Sequence, residues 1–242
     1  MPIYPVSGLL GMFQNFDLQA FLITILVLCI SLSFHEMAHA WAAYRLGDDT
    51  AALQGRLTMN PLAHLDPIGS IAFLIGGIGW ARPVPVNPAR FNRSVSIKKG
   101  MMLTSLAGPL SNLLLATAST FLLFTVATIG LMMTGTAVGM IQIFMQLLQR
   151  LYGANIILAV FNLLPIPPLD GFKVFGSVLP DSLYYRLMNY ERYIGLVFIL
   201  IILFARGALS TVLGVIAWPF NQAIFRPVEM LFRWIWQVAG LA

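Results

Sequence analysis

The sequence has 242 residues, of which 59% are apolar and only 10% are charged. Soluble domains carry about 25% charged residues, so this composition excludes a soluble enzyme and a disordered chain. The single cysteine, Cys29, cannot form an internal disulfide, which excludes a secreted disulfide scaffold. Basic loops that flank membrane spans explain the net charge of +5, so we expect no nucleic-acid partner.

The long apolar segments predict an all-α polytopic membrane protein, because a transmembrane helix needs about 20 apolar residues. The first segment covers residues 18–45, and a helix of that length would be roughly 42 Å long. We expect about five transmembrane helices in the lipid bilayer. The other four are predicted near residues 101–133, 151–164, 193–205 and 209–220, and an aromatic segment at 232–236 is expected to be interfacial.

Residues 67–80 form a shorter apolar stretch. A helix of about 14 residues would be roughly 21 Å long, which is too short to cross a bilayer comfortably. We therefore expect a re-entrant segment or a β-hairpin within the bilayer. The alternation at residues 52–59 is typical of a short strand beside it. The glycine-rich residues 76–79 are a candidate gate for substrate.

The loop at residues 81–100 contains five basic residues and no acidic residue. Because Lys and Arg are enriched in cytoplasmic loops, this loop is predicted to be cytoplasmic. The first helix then runs inward and ends at Arg45, and the segment at 151–164 returns to the same side. We expect a multi-pass integral protein of the cell (plasma) membrane whose active site faces the cytoplasmic side.

His35, Glu36 and His39 form an H-E-x-x-H motif within the first predicted helix. Positions i and i+4 share one face of a helix, so both imidazoles can bind the same ion. Zn²⁺ accepts histidine nitrogens, and a catalytic zinc site keeps one position for water. Glu36 can take a proton from that water as a general base. The pattern predicts one zinc ion per chain, placed within the bilayer, and hydrolytic chemistry.

A third protein ligand is needed, and Asp170 is the best candidate. It follows three prolines, Pro165, Pro167 and Pro168, that disfavour helix. Irregular backbone at membrane depth is tolerated where it is buried in protein or lines a wet cavity. The alternative is an ordinary loop aspartate that precedes a turn glycine.

Three motifs together resemble the site-2 protease family of intramembrane zinc metalloproteases. They are H-E-M-A-H at residues 35–39, G-P-L-S-N at 108–112 and N-L-L-P-I-P-P-L-D-G at 162–171. The resemblance covers about residues 18–175. It implies a zinc metalloendopeptidase that cuts a transmembrane protein within or near its membrane-spanning segment. It also implies the site residues, with zinc ligands His35, His39 and Asp170 and catalytic base Glu36.

The chain has no room for a PDZ domain between these motifs or for a pair of CBS domains after them. We therefore expect a single membrane-embedded metalloprotease domain over residues 1–242, with a catalytic core at about 18–175 and C-terminal helices at 185–240. The substrate helix must unwind locally before its peptide bonds are accessible. Residues 52–80 could then pair with the extended substrate by β-augmentation.

Three further polar residues are candidates for substrate binding or for positions near the site. His64 could orient substrate, stabilise an oxyanion or approach the zinc, or it is merely structural. Asn155 and Asn162 share a helical face, where they could bond a substrate backbone or steady the Asp170 loop; the alternative is that they join helices. Gly108 and Pro109 are expected to permit close helix approach rather than chemistry.

A membrane transporter or sensor that binds zinc without hydrolysis is the alternative function. Transporters also place His and Asp residues in the membrane beside broken helices. Glu36 favours hydrolysis, because a base beside two ligands serves that reaction. The identity of the substrate and the oligomeric state do not follow from the sequence.

Overall fold

The computed structural model describes residues 17–76, 80–133 and 137–241, and these ranges contain α-helices and no strands. In chain order the helices are α1 Leu18–Arg45, α2 Thr50–Leu53, α3 Pro67–Gly76, α4 Ile97–Leu131, α5 Ala137–Asn162, α6 Asp170–Gly176, α7 Asp181–Asn189, α8 Glu191–Phe204, α9 Arg206–Phe220 and α10 Arg226–Val238. A π-helical turn at Asn221–Phe225 joins α9 to α10.

Four of the described helices are long and apolar enough to cross a membrane, namely α1, α4, α5 and the continuous helix Gly207–Val238. Helix α8 has 14 residues, which is too short for a span by itself. It follows α7 after a bend of 62°, and the two together could make a fifth span. The protein is an all-α polytopic membrane protein, as the composition predicted.

Helix α1 has the bounds that its apolar pattern predicted. Its first turn is capped by Asp17, whose side chain accepts a hydrogen bond from the backbone N–H of Ala20 at 3.0 Å. Helix α5 begins at Ala137, earlier than the predicted segment at 151–164. The charge of Arg150 does not end this helix, because its guanidinium donates to the Ala20 carbonyl and the Thr24 hydroxyl of α1.

The segment between α1 and α4 differs from the prediction. The expected strand at residues 52–59 is wrong, since Thr50–Leu53 is helical and Gly55, at φ 67°, turns the chain. The β-hairpin alternative for residues 67–80 is also wrong where the segment is described, because Pro67–Gly76 is helical. Asp66 explains this helix, since its side chain accepts a hydrogen bond from the Gly69 N–H.

The chain before α3 and the chain at residues 81–82 lie together. Leu65 and Ala81 form an isolated antiparallel bridge, and the Arg82 N–H donates to the His64 carbonyl at 2.8 Å. The chain therefore returns to the side from which it entered, which favours the re-entrant alternative. Its described part offers no strand for substrate pairing. Residues 77–79 of the candidate gate lie outside the described residues.

The bundle is organised around α4, which packs along both α1 and α5. One apolar cluster joins α4, α5 and α9, and a second joins α1 and α5. The buried members are Ala116, Tyr152, Ile156, Val160, Leu213 and Ala217 in the first cluster and Ile23, Val27 and Leu151 in the second. Large apolar side chains on the outer faces of these helices are exposed, as a lipid environment requires.

A buried amide network crosses the interface of α1, α4 and α5. Asn112 donates to the Asn155 side-chain oxygen at 2.6 Å, and Asn155 donates to the Ser31 hydroxyl at 2.8 Å. Both asparagines are fully buried. Hydrogen bonds of this kind hold helices together where no hydrophobic driving force acts between them.

We expect replacement of Asn155 by Leu to lower the free energy of unfolding by about 0.6 kcal/mol, and by at most roughly 1.7 kcal/mol. The substitution removes the hydrogen bonds that Asn155 makes with Asn112 and with the Ser31 hydroxyl. Unfolding in mixed detergent micelles measures the effect. Asn162→Leu is the matched control, because Asn162 donates to Leu158 of its own helix. Equal stability of the two variants would contradict the prediction.

Candidate metal centre

Three side chains from two distant parts of the chain converge at the centre of the site. His35 and His39 project from α1, and Asp170 begins α6 after the proline-rich turn. The Asp170 Oδ2 atom lies 3.2 Å from the Nε2 atom of each histidine, and the two Nε2 atoms are 2.9 Å apart. Both histidines are buried and the aspartate is nearly so.

The separations of these atoms fit a zinc ion. A tetrahedral site with bonds of about 2.0–2.1 Å places its ligand atoms roughly 3.3 Å apart. The observed distances of 2.9 and 3.2 Å are close to that value. Within the described residues, His35, His39 and Asp170 are the group of side chains that could hold a metal ion.

The hydrogen bond at Nδ1 of each imidazole determines which ring nitrogen carries the proton. The Nδ1 atom of His39 lies 2.7 Å from the carbonyl of Thr104, which can only accept, so Nδ1 carries the proton. The Nδ1 atom of His35 lies 2.6 Å from the side-chain oxygen of Asn112 and donates in the same way. A neutral ring with its proton on Nδ1 presents the lone pair of Nε2 to the centre. This is the donor chemistry of a zinc site.

Helix α4 reaches the imidazoles through a glycine. A Cβ atom added at Gly108 would lie 2.4 Å from Nε2 of His39 and 2.5 Å from Cε1 of His35. No side chain fits there without moving an imidazole. The prediction that this glycine permits close helix approach is confirmed.

Asn112 belongs to the site, although the G-P-L-S-N motif alone does not predict its contact with a histidine. Its side-chain oxygen bonds His35, and its amide donates to Asn155. The spacing of Asn112 from Gly108 could have predicted this contact, since positions i and i+4 lie on the same helix face, and Gly108 lies on the face that meets α1. Asn155 lies one step further from the centre, in the buried network behind His35.

Asn162 and His64 lie outside the group of side chains that could hold a metal ion. The amide of Asn162 donates to the Leu158 carbonyl at 3.0 Å, so its predicted contact with substrate stays a prediction. His64 is 1% exposed, and its Nε2 atom donates to the Thr58 carbonyl at 2.8 Å. Its own carbonyl accepts from the Arg82 N–H. These contacts fasten the loop before α3.

Glu36 stands beside the three donors and is held by a different part of the chain. Its Oε2 atom accepts a hydrogen bond from the backbone N–H of Val84 at 3.0 Å. The buried guanidinium of Arg56 lies near enough to interact with this carboxylate. Burial lowers the pKa of Arg56, and the negative charge of Glu36 opposes that shift.

The profile of peptidase family M50 matches residues 23–204, a range that holds the three donors and Glu36. The chain belongs to this family. The resemblance to site-2 proteases is therefore confirmed, and this M50 peptidase is an intramembrane zinc metalloprotease with zinc as its cofactor. A zinc transporter or sensor, the alternative function, does not fit that membership.

Related proteins agree with this membership. The chain is 38% identical over 214 residues to "Putative zinc metalloprotease YwhC" of Bacillus subtilis, covering 88% of this chain and 92% of that protein. It is 32% identical over 201 residues to "Putative zinc metalloprotease Rip2" of Mycobacterium tuberculosis, covering 79% of this chain and 70% of that protein. No solved structure matches the chain significantly.

We expect Gly108→Ala to weaken zinc binding by the M50 peptidase about tenfold or more, because the added Cβ displaces both imidazoles. Zinc content after dialysis against a graded chelator, measured by elemental analysis, checks this. Gly153→Ala is the matched control, since it gains the same helix propensity and its Cβ meets nothing within 4 Å. The expectation fails if the two variants retain zinc equally.

Proposed function

We propose that His35, His39 and Asp170 hold the zinc ion and that Glu36 is the general base for hydrolysis of a peptide bond in a transmembrane protein. The observation that carries this proposal is the convergence of three buried electron-pair donors beside a carboxylate that is bonded elsewhere. A fourth ligand would have joined the donors. The Glu36 carboxylate is instead bonded to the Val84 N–H, and Glu36 is not in the group of side chains that could hold a metal ion.

The chemistry divides between the ion and the chain. Zinc, when bound, supplies a Lewis acid that polarises the scissile carbonyl and makes water more acidic. Glu36 takes the proton of the attacking water and passes it to the leaving amine. The Val84 N–H engages Oε2, so we assign the proton transfer to the other carboxylate oxygen, Oε1.

The substrate is a membrane protein cut within or near its membrane-spanning segment. The site supports this proposal by its depth, since His39 precedes Arg45 by six residues, or about 9 Å of helix. Peptide bonds inside a substrate helix are already hydrogen-bonded to one another. The substrate must therefore unwind before the carbonyl reaches the site.

We infer that the site faces the cytoplasm and that the protein lies in the plasma membrane. The C-terminal end of α1 and the basic segment before α4 lie together, since Arg90 pairs with Asp49 at 2.7 Å. Lys98 pairs with Asp181 at 2.8 Å at the same end. Positive charge at one end of the bundle supports a cytoplasmic position for that end.

We propose further that residues 1–242 act as one domain, with a catalytic core at about 18–175 and C-terminal helices at 185–240. Contacts between the two parts support this, since α9 packs on α5 and Trp236 of α10 donates to Thr128 of α4 at 2.8 Å.

Replacement of Glu36 by Gln should leave zinc bound and lower kcat by about 10²–10⁴-fold, since the amide cannot accept the proton. Elemental analysis measures the zinc, and cleavage of a reporter protein with one transmembrane helix, reconstituted in vesicles, measures turnover. The companion variant His35→Ala/His39→Ala should lose both zinc and turnover. Full zinc occupancy in the double variant, or wild-type turnover in Glu36→Gln, would contradict the assignment.

Accessibility of single cysteines tests the orientation. In a Cys29→Ser background, Gln54→Cys and Ala89→Cys should react with a membrane-impermeant thiol reagent only from the cytoplasmic face. Both positions are exposed and lie near the end of the bundle that carries the site. Met132→Cys, at the opposite end of α4, is the control and should react only from the other face. Labelling with the faces exchanged would invert the topology.

A further inference from the structure

The connecting segment at residues 81–87 runs beside the general base and is fastened through its backbone. The Arg82 N–H donates to the His64 carbonyl, the Val84 N–H to Glu36 and the Asn87 N–H to Asp48. Pro83 and Pro85 have no N–H. Val84 therefore carries the one backbone donor of the stretch 83–85, and that donor is bonded to the base.

A buried arginine holds this segment from the other side. Arg56 is 5% exposed, and its guanidinium donates to the Arg82 carbonyl at 2.5 Å. Its Nε atom is buried without a hydrogen-bond partner. A buried and incompletely paired guanidinium costs free energy, so the position of Arg56 calls for an explanation.

The geometry of proline links the two hydrogen bonds. The Arg82 carbonyl belongs to the peptide plane before Pro83, and the Val84 N–H belongs to the plane after it. Two backbone torsions separate these planes, and the ring of Pro83 fixes φ, which leaves ψ alone. Pro85 restricts Val84 to extended conformations in turn. A guanidinium that fixes the Arg82 carbonyl therefore leaves the direction of the Val84 N–H dependent on the single torsion ψ of Pro83.

We propose that Arg56 is a positioning residue for the general base. It acts through the Arg82 carbonyl and the rigid Pro83 on the Val84 N–H, which orients the carboxylate of Glu36. The assignment rests on the proposed role of Glu36 in hydrolysis. It predicts that Arg56 affects the alignment of the base and not the binding of zinc or substrate.

Hydrogen exchange of the Val84 amide tests the relay without any substrate. In the full-length zinc-loaded protein, Arg56→Gln should speed exchange of this amide at least tenfold while zinc content stays unchanged. Arg93→Gln is the matched control, because Arg93 is an exposed arginine of the same basic loop. Pro83→Gly leaves the buried guanidinium in place and should also speed exchange, so the relay is testable even where Arg56→Gln does not fold.

Turnover gives the second readout, with a quenched fluorogenic peptide that carries one apolar helix of about 20 residues as the probe. Arg56→Gln should lower kcat about tenfold or more with KM unchanged, since positioned acid–base catalysis is worth about 10²–10⁴-fold. Arg56→Lys should recover part of the loss. The double variant with Pro83→Gly should be no slower than Arg56→Gln, because both changes break the same relay.

Unchanged exchange at Val84 in Arg56→Gln would overturn the proposal, and so would additive losses of kcat in the double variant. A failure of the proposed function would give a different experimental result. In that case Glu36→Gln turns over the probe at the wild-type rate, while the exchange of Val84 still reports whether Arg56 holds the segment.

Discussion

The structure depends on holding three electron-pair donors within about 3 Å of one another where water is scarce. Two imidazole lone pairs and a carboxylate oxygen repel each other at these distances unless a cation lies between them. Each donor must therefore be held in position by a contact on the side that faces away from the other donors. The Thr104 carbonyl and the Asn112 side chain fix the two rings, and the N-terminus of α6 presents the aspartate.

That requirement explains why α4 lies at the centre of the bundle. The helix supplies both groups that orient the imidazoles and also the glycine that lets its backbone approach them. Asn112 also bonds Asn155, which bonds Ser31, so hydrogen bonds link the packing of α1, α4 and α5 to the orientation of the His35 ring. A polar network that is satisfied at every step tolerates burial at membrane depth, whereas a broken one does not.

The sequence was sufficient to predict those site residues that a short-range spacing pattern brings together. The i, i+4 spacing of His35 and His39 fixes a common helix face, and prolines before Asp170 predict irregular backbone. Long-range partners were not predictable, because nothing local connects Asn112 to His35 or Val84 to Glu36. The strand expected at residues 52–59 failed for another reason. Alternation in a short segment was outweighed by local helix and turn signals, as at Gly55.

The site is held by two kinds of structure with different rigidity. The imidazoles are fixed by neighbouring long helices, whose geometry follows from packing in the bilayer. Glu36 lies on α1, but its carboxylate accepts a hydrogen bond from the loop residue Val84, and Arg56 donates to the neighbouring Arg82 carbonyl. Loops open locally at lower free energy than packed helices. The orientation of the Glu36 carboxylate therefore depends on loop contacts, whereas the positions of His35 and His39 depend on packed helices.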